Sequence, residues 1–146
     1  MSFLDEINQK YKVYFYGEAS SQNAIQNLKD FSAVSIPEEY FEIVREKEIE
    51  ISIKEDDGYV GLSIWGADRC LECNPAYHIQ RYIPNGIAIG DNGGGSALLY
   101  ANGKKGFGLY LVDFGDLDED ELIYISKSLK DLLLKEIGID VYLNNY

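Results

Sequence analysis

The stretch from Ile87 to Gly115, IAIGDNGGGSALLYANGKKGFGLYLVDFG, constrains the fold more than any other part of the chain, because three short apolar runs are separated there by two glycine-rich breaks. Glycine and asparagine tolerate the positive φ that a tight reversal requires. Ile87, Ala88 and Ile89 read as a short buried strand, and Asp91-Asn92-Gly93-Gly94-Gly95 turns the chain. Ser96 to Ala101 is a second strand, Asn102-Gly103 is a hairpin signal, and Phe107 to Asp113 returns with Phe107, Leu109 and Leu111 on one face. The product is a three-stranded antiparallel meander.

Upstream, Glu48 to Ile53 (EIEISI) alternates acidic or polar side chains with isoleucines at period two, the pattern of a half-buried strand. Glu55-Asp56-Asp57-Gly58 supplies a turn, and Tyr59 to Trp65 (YVGLSIW) returns as its hairpin partner. Helical spacing appears at Phe3, Leu4 and Ile7, and again at Ala24, Ile25, Leu28 and Phe31 behind a Ser20-Ser21 cap. A third helix is expected over PEEYFEIVREK with Ser35 as its cap, Pro37 in its first turn and Tyr40, Phe41 and Val44 facing the core. YKVYFY, residues 11–16, fits either a continued first helix or a strand. A short helix is expected at Pro75 to Tyr82, followed by a Pro84-Asn85-Gly86 turn. Near the C-terminus, Asp118 and Glu121 resemble a capping pair, and Leu122, Ile125, Leu129, Leu132 and Leu133 predict one helix that stops at Gly138, with IDVYL as a final strand. The expected fold is α+β: one domain over residues 1–146, with an antiparallel meander sheet of about five to six strands and helices packed on one face.

Thirteen basic against twenty-five acidic residues give a net charge of -12, which argues against nucleic acid or an anionic membrane as the main partner and leaves a basic protein as the easier one. MSFLDEINQK has neither the basic opening nor the apolar core of a secretory signal, and no apolar run approaches the ~20 residues that span a bilayer, so a cytoplasmic protein is expected. Cys70 and Cys73 form a single CLEC pair with one nearby histidine, His78, which leaves a zinc site short of a ligand. Ordinary reduced thiols are the expectation, with no metal and no cofactor. DNGGGS lacks the lysine of a phosphate-binding loop and precedes a strand, so it reads as a turn. His78 is the one histidine, and a lone histidine is more often structural or exposed than a general base, so no Ser/His/Asp arrangement is singled out and no enzyme is expected.

IPEEYFEIV, IAIGDNGGGSALLY and GLYLVDFGD, followed by an apolar C-terminal stripe, together resemble the SUKH superfamily from about Ser20 onward. That superfamily includes fungal cell-wall assembly (glucan synthesis) regulators and bacterial immunity proteins. The chain departs from it in running REKEIEISI directly into a strand, and in the segment CLECNPAYHIQRYIP. The resemblance implies a binding protein that neutralises a toxin domain, often a nuclease, by covering it, or alternatively a regulatory scaffold. An acidic surface would steer a basic toxin. The candidate partner-binding residues are Asp113, Asp116, Asp118, Glu119 and Asp120, then Glu55, Asp56 and Asp57 as a second edge, with Tyr59 and Tyr110 as aromatic anchors and Trp65 assigned first to the core.

Overall fold

The computed structural model describes residues 2–56 and 58–145, and for Tyr16 the backbone alone. Asp57, one of the expected partner-binding residues, lies outside the described residues. Seven strands form one open antiparallel sheet in sequential order. They are β1 (Lys12–Gly17), β2 (Glu48–Glu55), β3 (Gly58–Ile64), β4 (Gly86–Asp91), β5 (Ser96–Gly103), β6 (Gly106–Asp113) and β7 (Ile123–Ser126). The helices are α1 (Phe3–Lys10), α2 (Gln22–Phe31), α3 (Glu38–Val44), α4 (Ala67–Ala76), α5 (Ile79–Tyr82), α6 (Leu129–Leu133) and α7 (Ile139–Asn144). The α+β class and the central meander stand, with seven strands in place of five or six.

The alternation in EIEISI works as expected. Register pairs Ile49 with Ile64, Ile51 with Leu62 and Ile53 with Val60, so the apolar side chains of both strands share one buried face. In β5 every residue from Ala97 to Ala101 is buried, so the meander is covered on both faces.

Several local expectations are corrected. Tyr11 to Tyr16 resolves as the edge strand β1, paired to β2. The hairpin between β5 and β6 turns at Lys104-Lys105, not at Asn102-Gly103, with Gly106 taking the positive φ of 89°. Tyr110 explains why Gly103 is nevertheless glycine: a Cβ there would lie 2.5 Å from the Tyr110 ring. The single C-terminal helix is three pieces. Residues 123–126 pair with β6 as β7, because β6 has an open edge and a strand satisfies its backbone groups where a helix would not. Ser128 then caps α6, its hydroxyl accepting from Asp131 N at 3.1 Å. IDVYL is α7, not a strand. The helix expected at Pro75 to Tyr82 is α4, which starts at Ala67, followed by the single turn α5. At α3 the cap is Pro37, with no side-chain cap bond from Ser35.

Two polar side chains join these layers. Glu39 on α3 accepts the Tyr100 hydroxyl at 2.9 Å and Leu129 N at 2.6 Å through one oxygen, tying α3 to β5 and to the start of α6. Burial and this carboxylate hold the Tyr100 hydroxyl well above its ordinary pKa. The second is Asn74. β3 and β4 pair only at Ser63 with Asp91 and at Ile64 with Gly90, an approach so close that a Cβ on Gly90 would meet the Ser63 carbonyl at 2.0 Å. Beyond that short ladder α4 takes over: the fully buried Asn74 amide accepts from Ala88 N at 2.9 Å and donates to Ala88 O at 2.9 Å and Cys70 O at 2.8 Å. Gln80 donates to the Asn74 oxygen at 2.9 Å and to Gly86 O at 3.0 Å. An asparagine thus stands in for a strand residue.

Replacing it should be costly. Asn74→Ala leaves the Ala88 N–H and C=O buried without partners and is expected to lower stability by about 3 kcal/mol, read as a drop in the urea midpoint at unchanged slope. A loss below about 0.5 kcal/mol would mean that water or Gln80 substitutes freely for the amide.

Candidate protein-binding surface

After Asp113 the chain does not leave the sheet. Phe114, Leu117 and Leu122 pack, partly buried, against the hydrophobic core, and the Phe114 ring lies 4.4 Å from that of Tyr77. Between these apolar anchors Asp113, Asp116, Asp118, Glu119, Asp120 and Glu121 are all exposed. The loop is also fixed from within. Asp113 Oδ1 accepts from Gly115 N at 2.7 Å, Asp116 N donates to Asp113 O at 3.0 Å, and Asp118 caps a 3-10 turn at Glu119–Glu121 by accepting from Asp120 N at 2.9 Å. The five aspartates and glutamates expected to form a partner surface therefore stand on one short, anchored loop. A cleft of about 240 Å³ separates Glu119 and Asp120 from Asn85, Asn102 and Lys104. Lys104 Nζ lies 3.5 Å from Asp120, and both side chains are so exposed that the pair adds little. The spacing of Phe114, Leu117 and Leu122 among the carboxylates was the available signal that this run is pinned.

The other candidates lie elsewhere. Glu55 ends β2 and Asp56 sits in the turn to β3, at the opposite side of the sheet from the β6 exit. Tyr59 is 64% exposed on β3. Trp65 is buried, donating from Nε1 to Asp91 Oδ2 at 2.8 Å, in keeping with its core assignment. Tyr110 is a correction. It is 1% exposed, its hydroxyl donates to Gly106 O at 2.6 Å and accepts from Lys105 N at 3.2 Å, and its ring meets Tyr124 edge-on. It locks the β5–β6 hairpin and presents no ring to a partner.

Cys70 and Cys73 share α4, but only Cys70 is fully buried, its sulfur 3.2 Å from the Tyr40 hydroxyl. Burial pushes the Cys70 thiol up to about 12 and also raises Cys73, where Glu72 adds to the shift. His78, exposed, precedes α5 in the left-handed conformation at φ 58°. No group of three or more potential metal ligands occurs among the described residues. No helix among them is long and apolar enough to cross a membrane.

The model of the SMI1/KNR4 family (SUKH-1) matches residues 19–135, a span that includes the proline-led α3, the glycine-rich β4–β5 turn and the acidic exit of β6. The chain belongs to the SUKH-1 family. The match takes in every element from α2 to α6 together with the anchored acidic loop, while α1, β1 and α7 fall outside it. A comparison with curated proteins finds no match. SUKH-1 membership brings the immunity-protein and cell-wall-regulator kinds into consideration without separating them.

Two outcomes follow from this geometry. Phe114→Ala should free the acidic loop, raising amide hydrogen exchange at residues 115–120 by about tenfold while the β5 amides keep their protection. Equal loosening throughout would show that the ring holds the core and not the loop. In a titration with an aromatic disulfide reagent, Cys73 should react in the native protein and Cys70 only after denaturant is added. Two equally fast thiols would contradict the burial of Cys70. The same shift makes stability fall as pH rises above 9.0, where the unfolded thiol ionises and the native one does not.

Proposed function

We propose that this protein is an intracellular immunity protein that neutralises a basic toxin domain by occupying its surface, without catalysis. The observation that carries the reading is the anchored loop at residues 113–121 in a SUKH-1 chain: six exposed carboxylates held in place by three apolar side chains. Because the loop is ordered before binding, little conformational entropy is lost when a partner docks. A net charge of -12 draws a cationic domain in and raises its association rate, and the loop fixes where it lands. Family membership equally supports a regulatory scaffold, whose partners would be proteins of the host's own cell-wall or signalling machinery.

The test is neutralisation. The D116N/D118N/E119Q variant should bind a basic toxin domain that the wild-type protein neutralises at least tenfold more weakly at low salt and show a flatter salt dependence, with its thermal midpoint within a few degrees of wild type. Undiminished affinity would remove the loop from the mechanism. Capture of host cell-wall proteins, and of no toxin domain, would favour the scaffold.

A further inference from the structure

The cleft beside the acidic loop has three walls. The chain leaving α5 supplies Ile83 and Asn85, the end of β5 and its hairpin supply Asn102 and Lys104, and the 3-10 turn and its exit supply Glu119, Asp120 and Leu122. Asn102 N donates to Asn85 O at 3.1 Å, which joins the first two walls, and Leu122 packs the third against the core. Ile83 is buried and Leu122 half-buried, so the apolar pair forms the floor, while the amides and carboxylates stand exposed at the rim. At about 240 Å³ the cleft is smaller than the ~300 Å³ at which pockets for whole small molecules begin, and its size suits a single side chain.

The rim has bonding capacity to spare. Among the described residues the side-chain amides of Asn85 and Asn102 and the Glu119 carboxylate make no hydrogen bond or ion pair. The one cation in the lining, Lys104, lies 3.5 Å from Asp120, and with side chains 75% and 79% exposed that pair is readily exchanged. Lys105 follows it in the hairpin, and Arg81 on α5 is placed over the Tyr82 ring at 5.8 Å; neither lines the cleft. Two carboxylates and two carboxamide oxygens on separate walls thus face an apolar floor. A guanidinium fits that arrangement better than an ammonium: its planar fork carries five donors, it is more weakly hydrated, and its stem covers apolar surface.

We propose that this cleft receives one arginine side chain of the basic partner, its guanidinium held by Glu119, Asp120, Asn85 and Asn102 in place of Lys104. The inference rests on the binding reading above and adds the residue type that is recognised.

The probe is N-acetyl-arginine methylamide, titrated into the full chain at constant ionic strength and followed in amide proton–nitrogen correlation spectra. The Asn85, Asn102 and Gly103 amides should shift and saturate with a dissociation constant of about 10 mM or below. The lysine analogue should bind more weakly, and the uncharged citrulline analogue should leave these amides in place. Asn85→Lys, which sets a cation at the exposed rim, should abolish saturation in an otherwise wild-type spectrum. Lys104→Ala should tighten binding about threefold by removing the competing cation, whereas Lys47→Ala, which removes the same charge outside the cleft, should not. Cleft amides that do not move overturn the proposal. So do shifts that spread without saturating over residues 113–121, or that the lysine analogue reproduces at equal strength, because diffuse charge attraction then accounts for them. Each of these failures leaves the loop reading standing, since neutralisation by the loop variant decides that separately.

Discussion

The β3–β4 junction depends on one buried amide. A sheet can change partners part-way along a strand only if the backbone groups left behind find substitutes. At Ala88 the substitute is the Asn74 side chain, whose two protons and two lone pairs are all used, by Cys70 O, Ala88 O, Ala88 N and Gln80 Nε2. That arrangement lets β4 run on past the end of β3 and seats α4 at the gap. Everything that α4 carries, including the buried Cys70 and the Tyr40 contact, takes its position from this insertion.

How much of this was visible beforehand varied with the signal. Period-two alternation in EIEISI and YVGLSIW has one reading, and the register matches it. The C-terminal stripe was ambiguous because Leu122, Ile125, Leu129, Leu132 and Leu133 suit a helix whether or not the chain is continuous. The open edge of β6 broke the tie, and an edge seeking a partner is a tertiary fact with no local trace. YKVYFY had no unique reading for the same reason. Asn74 in CLECNPAYHIQ carries no signal of its own in the sequence, and its role exists only once β4 is beside it.

For the surface, residue type was the informative part and placement was not. The acidic run was identifiable from composition, but the anchoring of Phe114 against Tyr77 joins residues far apart in the chain. Tyr110 shows the opposite error. Aromatic side chains are favoured both in interfaces and in cores, and only the close fit against Gly103 and the hairpin backbone assigns this one to the core.

The sequential strand order has a consequence for how the protein is made. Each strand pairs with its predecessor, so a chain emerging from a ribosome meets almost every partner in the order of synthesis, and few strands wait exposed. The exception is at β3. The Gly61 carbonyl, beyond the short β3–β4 ladder, receives its hydrogen bond at 2.6 Å from the Tyr142 hydroxyl, 81 residues later. The seam between the two parts of the sheet therefore stays unsealed until α7 has been translated.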